Sequence, residues 1–412
     1  MTRFHTTRLH PTRLHLTRIH PTRRGLIAGG ALALVGLALL LGVLFPPNQP
    51  NAGAAVAETE SKAADSALLV SEFSDTSSTL WLVAATDPAE RTAFLRVDHA
   101  PGWEIGGAIS PSGDQLAYVV LGPGRRNAET EASLFITQGP FLASGDGAAP
   151  TLLAEGVDLR GGVTWTADGT ALIVRRTTVE TDGRRSFAIL EVRLADGQVT
   201  TQLQRDDVAA LHIIGRPLDG PLYTALISRA GTRLLAVGGE KSTLLSSNIT
   251  RGWSLSPDGT QLAYTEQRGL AMQVHVLSLA EFEPAFPALR AATASGQALL
   301  DETFEEDSRS DVGTASPVWA PDGSLSVGTF EGPPTQVRAE AELSTASVGT
   351  ADGFALPLVW SPDGVHLAIR AFEGSGPGNT RDETAAIVGA DGAIQTVSGD
   401  HILVLGWWNG GR

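Results

Sequence analysis

Five aspartates stand in near-identical surroundings: Asp168, Asp219, Asp258, Asp322 and Asp363, with Ser112 holding the same place in a sixth copy. Carboxylates repeated in this way suit general acid–base work or calcium ligation. Both chemistries need several groups converging on one point, and spacings of 39 to 64 residues give no local convergence. The immediate neighbours supply a simpler reason. Glycine follows every one of the six, and proline precedes Ser112, Asp258, Asp322 and Asp363. Proline presets the second position of a tight turn, Asp bonds its own backbone at the third, and Gly takes the positive φ that releases the next strand. The repeated carboxylates are therefore read as turn residues.

Other chemistry-bearing residues are sparse. Cysteine is absent, which excludes disulfides, thiolate metal sites and a Cys nucleophile. No His-Glu-x-x-His, EF-hand loop or Gly-x-Ser-x-Gly elbow occurs. The five histidines past the N-terminal region are His99, His212, His275, His366 and His401. Their spacing suggests no ligand set, and His275 and His401 fall in apolar runs suited to packed or hydrogen-bonded imidazoles. No catalytic, cofactor-binding or metal residue is assigned, and no cofactor is expected. Trp165, Trp319 and Trp360, each three residues before a turn Asp, read as packing residues. Trp103, Trp407 and Trp408 are less easily placed. The adjacent pair Trp407 and Trp408 must face opposite sides of a strand, so one of them is free to line a ligand surface or to pack.

The elements that position these residues repeat. "WSLSPDGTQLAYTE" from Trp253 has relatives in "ISPSGDQLAYVV" (Ile109), "WTADGTALIVRR" (Trp165), "WAPDGSLSVGTF" (Trp319) and "WSPDGVHLAIRA" (Trp360), with a worn copy from Ile213. A period near 40 with four strand candidates per unit is that of a propeller blade. Three strand candidates in residues 66–97 lack a preceding turn, and "HILVLGWW" from His401 is a spare strand. Joining them closes a ring and removes its open edges. The expectation is an all-β propeller of seven four-stranded blades, six being the alternative, over residues 66–412. Its N- and C-terminal strands share one blade. The Trp-Ser-Pro-Asp-Gly turn followed by Leu-Ala resembles the Pro-Asp class of WD-like propeller repeats found in TolB-like proteins. That resemblance implies a fold, since propellers carry many unrelated activities. TolB-like proteins resemble a propeller preceded by an α/β domain, whereas residues 46–65 here suit only a linker rich in Ala, Pro and Asn.

Residues 1–24 repeat a Thr-Arg-x-His pentad that fits neither the helix nor the strand period. They read as a basic cytoplasmic tail, with metal capture by His5, His10, His15 and His20, or a basic arm on anionic lipid, as the functional alternatives. Residues 25–45 are free of charge and long enough to cross a bilayer. With Arg23 and Arg24 before them, the positive-inside rule puts the tail in the cytoplasm and the body outside. A transmembrane anchor is expected, the alternative being a cleaved signal and a secreted body.

Formal charge is −15 overall, and six arginines with no acid in residues 1–45 leave −21 on the rest. Such a body is a poor nucleic-acid binder, because phosphate contact needs a basic face. The doublets Arg125-Arg126, Arg175-Arg176 and Arg184-Arg185 are read as solvated loop charge. Residues 280–312 form the long irregular insertion, acid-rich at Asp301–Asp311, either a partner-docking loop or a solvated one. The functional expectation is a monomeric, non-catalytic scaffold at the cell membrane that binds a protein, peptide or cell-envelope ligand. An extracytoplasmic propeller hydrolase or lyase is the alternative.

Overall fold

The computed structural model describes residues 66–138, 149–239, 241–268, 271–284, 289–293, 317–328, 334–337, 343–345, 353–374, 380–399 and 401–409. The chain divides into two compact units, Met1–Thr59 and Glu60–Arg412, and every described residue belongs to the second. Residues 1–24, the 25–45 segment, the 46–65 linker and Asp301–Asp311 lie outside the described residues.

The fold is an all-β propeller of mostly four-stranded antiparallel sheets. Among the described residues the strands group into seven such sheets, numbered here by the order in which the chain builds them. Sheet 1 combines Ile402–Trp408, Ala67–Phe73, Ser77–Ala84 and Arg91–Asp98. Sheet 2 is Gly106–Ile109, Gln115–Val120, Ala132–Gln138 and Thr151–Val157, and sheet 3 is Val163–Trp165, Ala171–Val179, Arg185–Arg193 and Val199–Arg205. Sheet 4 is Ala210–Gly215, Leu222–Ser228, Gly231–Val237 and Ser242–Ser246. Sheet 5 is Thr250–Leu255, Gln261–Arg268, Ala271–Ser278 and Glu283–Pro284, with Leu289–Thr293 also pairing on its third strand. Sheet 6 is Val318–Trp319, Leu325–Val327, Thr335–Val337 and Leu343–Thr345. Sheet 7 is Gly353–Trp360, Leu367–Gly374, Thr380–Val388 and Ile394–Thr396.

The first strand of each sheet touches the first strand of the next, and the series returns from sheet 7 to sheet 1. These first strands form the innermost wall. In sheet 1 that place is filled by the last strand of the chain, with Ala67 paired to Trp408, Leu68 to Trp407 and Glu72 to Ile402. A meander of four strands puts the first–second turn at one end of the ring. The connection from a fourth strand to the next sheet emerges at the other, here called the handover end.

Burial follows strand alternation. In the second strand of sheet 3, Leu172 and Val174 pack with Ala117 and Val119 of sheet 2. Ile173, pointing the other way, packs with Leu211 and Leu222 of sheet 4. Both faces are covered, so the run Ala171–Val174 is apolar throughout rather than alternating. Two local expectations change. Leu289–Thr293, inside the span read as irregular, is a strand because an unpaired stretch of Ala271–Val274 is there to receive it. His401 lies just before its strand rather than in it, exposed, at φ 52°.

Candidate functional site

The repeated carboxylates are spent on their turns. Thr166, Ser256 and Ser361 hydroxyls donate to Asp168, Asp258 and Asp363 at 2.6, 2.5 and 2.5 Å. The same three carboxylates accept the amides of Thr170, Thr260 and Val365 at 3.0–3.1 Å. The hydroxyls face both ways, since Ser256 Oγ also accepts the Gln261 amide at 2.9 Å. The Thr166 and Ser256 hydroxyls, foremost, hold the carboxyls of Asp168 and Asp258 below the ordinary range. In the copy with Ser112, Asp114 takes the aspartate's part and accepts from Ser110 and Ser112. Glycines 113, 169, 259, 323 and 364 sit at φ between 69° and 82°. The worn copy differs: Gly220 does not have positive φ, and its amide reaches Pro217 at 3.3 Å.

In sheets 3, 6, 7 and 1 a tryptophan fastens the sheet to the one before. Trp165 Nε1 donates to Ala108 O of sheet 2 at 2.9 Å, Trp319 to Ser254 O of sheet 5 at 3.0 Å, and Trp360 to Ser326 Oγ of sheet 6 at 3.0 Å. Trp407 does the same at the seam, donating to Val359 O of sheet 7 at 3.1 Å. Trp408, on the opposite face, lies edge-on to Phe94 at 4.9 Å and is 2% exposed. Neither member of the pair offers a ligand surface. In sheet 4 the tryptophan's place belongs to Arg216, which pairs with Glu191 of sheet 3 at 2.7 Å.

Two buried polar groups also bridge sheets at the handover end. Asp158 Oδ2 meets Arg175 Nε and Nη2, both at 3.0 Å, and accepts the Thr177 hydroxyl at 2.5 Å. Arg175 Nη1 crosses to Leu211 O of sheet 4 at 2.8 Å. Arg175 is 0% exposed, so this doublet is not the solvated charge read from the sequence. Strand alternation turns Arg175 inward while Arg176 reaches the carbonyls of Gly156 and Glu155. Arg184 pairs with Asp182, and Arg185 and Arg160 share Glu129. The Arg125-Arg126 doublet is exposed, and the Arg126 amide donates to Glu131 Oε2 at 2.9 Å.

Between sheets 4 and 5, Glu266 accepts the Ser246 hydroxyl and the Asn248 amide, the latter at 2.8 Å, and lies 2.9 Å from His275 Nε2. Its order is wrong for nucleophilic catalysis: the serine bonds the carboxylate, not the imidazole. Glu266 is 1% exposed, so the cluster is a strut.

The innermost strands carry no carboxylate among the described residues, and two titratable side chains, His212 of sheet 4 and Arg251 of sheet 5. Both stand near the handover end. His212 packs against Trp253, with ring centroids 5.0 Å apart. Burial, then the Arg175 charge, pushes His212 down to about 3; Asp158 opposes this and Arg251 adds to it. His212 is therefore neutral at pH 7. Trp253 is fixed by its own bond to Thr250 Oγ1 at 2.9 Å. Trp103 is partly buried against the sheet 2–3 core, with the Arg160 guanidinium 5.5 Å over its ring. No cluster of three or more His, Cys, Asp or Glu among the described residues is arranged to hold a metal.

No protein-family model matches the chain, and no curated protein matches it. Many solved structures do. An acylaminoacyl peptidase in complex with Z-Gly-Gly-Phe-chloromethyl ketone superposes with a TM-score of 0.50 at 10% identity, over 81% of this chain and 51% of that one. TolB from Acinetobacter baumannii gives 0.43 at 14% identity, over 83% of this chain and 66% of that one. Oligogalacturonate lyase in complex with manganese gives 0.45 at 13%, over 71% and 79%. The chain thus spans about two thirds of the TolB length and half of the peptidase. At these identities the likeness is one of fold.

Proposed function

We propose that the chain is a non-catalytic binding scaffold: a seven-bladed, TolB-like propeller held outside the membrane by residues 25–45, taking its ligand at the handover end. One observation carries this reading. The acids that recur in the sequence are committed to turns at the far end of the ring, and the described inner strands hold none. Among the described residues, the inner strands offer a general acid–base pair no carboxylate to use. The mixture of a peptidase, a lyase and TolB among proteins of similar fold favours no single activity.

Two experiments test it. N-terminal sequencing of the membrane-fraction protein should return the intact start; a mature terminus near Ala55 or Glu58 would replace the anchor with a cleaved signal. Affinity capture from cell-envelope extract with the full chain should recover a partner whose binding survives Asp168→Asn and Asp258→Asn. Loss of binding in those variants, at unchanged stability, would return the turn carboxylates to the site.

A further inference from the structure

Arg251 is exceptional among the arginines. It stands half-buried at the head of the innermost strand of sheet 5, and its guanidinium has no ion pair or hydrogen bond to a described residue. Elsewhere, Arg160, Arg175, Arg216 and Arg370 each meet a carboxylate. The body carries a large surplus of acid, so an unpaired arginine does not reflect a shortage of partners. Leaving a partly desolvated charge unmatched costs stability unless something else meets it.

Its surroundings are built. The strand's register breaks between Arg251 and Ser254, and Gly252 takes φ 59°. A bulge of this kind re-aims side chains on an inner strand. Trp253 follows it, packed on His212 of the neighbouring sheet, and the Arg251 charge reaches that imidazole. Gly106 and Gly107 begin the inner strand of sheet 2, where a Cβ at Gly106 would meet only Leu159 O at 3.7 Å, so this end of the wall is not crowded there.

We propose that Arg251 anchors an oxyanion site at the handover end of the channel, taking the carboxylate or phosphate group of a ligand, with Trp253 and His212 as its wall. A guanidinium presents a planar fork that matches both groups. The acidic body repels anions generally, so they bind where this local cation prevails. The site rests on the scaffold reading, and the two fail separately: a captured envelope partner that Arg251→Gln leaves untouched would sink the oxyanion site and keep the scaffold.

The test is calorimetric titration of the purified full chain with inorganic phosphate and, separately, acetate, at matched ionic strength. Binding of either is expected, weakened at least tenfold by Arg251→Gln and less by Arg251→Lys. Phosphate alone or acetate alone identifies the group preferred. Because Arg251 supports nothing in the fold, Arg251→Gln should melt within about 1 °C of the parent. Absence of binding by both anions, equal binding in Arg251→Gln, or a fall in melting temperature of more than ~5 °C in that variant would overturn the proposal.

Discussion

The indole nitrogen of Trp407 donates to the main-chain carbonyl of Val359 at 3.1 Å, so the last strand is held by sheet 7 as well as by its partner Ala67–Phe73. Trp407→Phe keeps most of the packing but leaves that carbonyl without its donor, at a cost of about 1–3 kcal/mol. Trp407→Ala adds a cavity and should cost ~3–5 kcal/mol. Urea titration of both variants checks the order; a Trp407→Phe variant as stable as the parent would mean that the hydrogen bond contributes nothing.

Gly259 stands at φ 69°, and a Cβ there would lie 2.5 Å from Pro217 Cβ in the neighbouring sheet. Gly259→Val therefore meets backbone strain and a clash together and should lose roughly 2–4 kcal/mol. Asp258→Asn retains an acceptor for Ser256 and Thr260 and should stay within about 1 kcal/mol of the parent. Thermal melts of the two variants, side by side, decide whether this turn is structural.

Asp158→Ala removes the carboxylate that meets Nε and Nη2 of the buried Arg175, and should destabilise by about 3–5 kcal/mol. Pairing Asp158→Leu with Arg175→Met removes both charges and should recover much of that loss. A double-mutant cycle measures the coupling; additive costs would show that the pair is not acting as a unit.

His212 titrates at about 3 in the fold against an ordinary value near 6.5. A histidine whose folded value is depressed binds its proton more readily when unfolded. Its contribution is therefore complete above pH 6.5 and is lost progressively as pH falls toward 3. The melting temperature should drop by about 4 °C between pH 7 and pH 4.5. His212→Gln should flatten that slope, and an unchanged slope would place the acid sensitivity elsewhere.

Much of the fold could be read from the sequence because the Asp-Gly turn is local: proline, hydroxyl, carboxylate and glycine act within six residues. The hydroxyl at Ser110, Thr166, Ser256 and Ser361 was the missed member, although it recurs in four copies two places before the turn carboxylate or its Ser112 equivalent. Arg175 was misread because its partner lies 17 residues away, in a loop, and nothing near either residue announces the other. The tryptophans three residues before the turns were rightly taken as packing, but their acceptors on the preceding sheet are fixed by the ring. Arg251 stands seven residues before its turn Asp, where the other copies have Ile105, Gly161, Ala315 and Leu356, and the worn copy has His212. That contrast was the available signal, and the regularity of the turn that follows drew attention away from it.

The pairing of Ala67–Glu72 with Ile402–Trp408 also orders events in time. On the ribosome, Ala67–Phe73 emerges long before Ile402–Trp408, so sheet 1 stays three-stranded until those later residues have been made. Contacts this far apart in sequence form slowly. Throughout that interval the apolar edge of Ala67–Val70 is bare and apt to pair with a second nascent chain. Closure of the ring thus waits for Ile402–Trp408, and a chain interrupted before those residues is the form most exposed to aggregation.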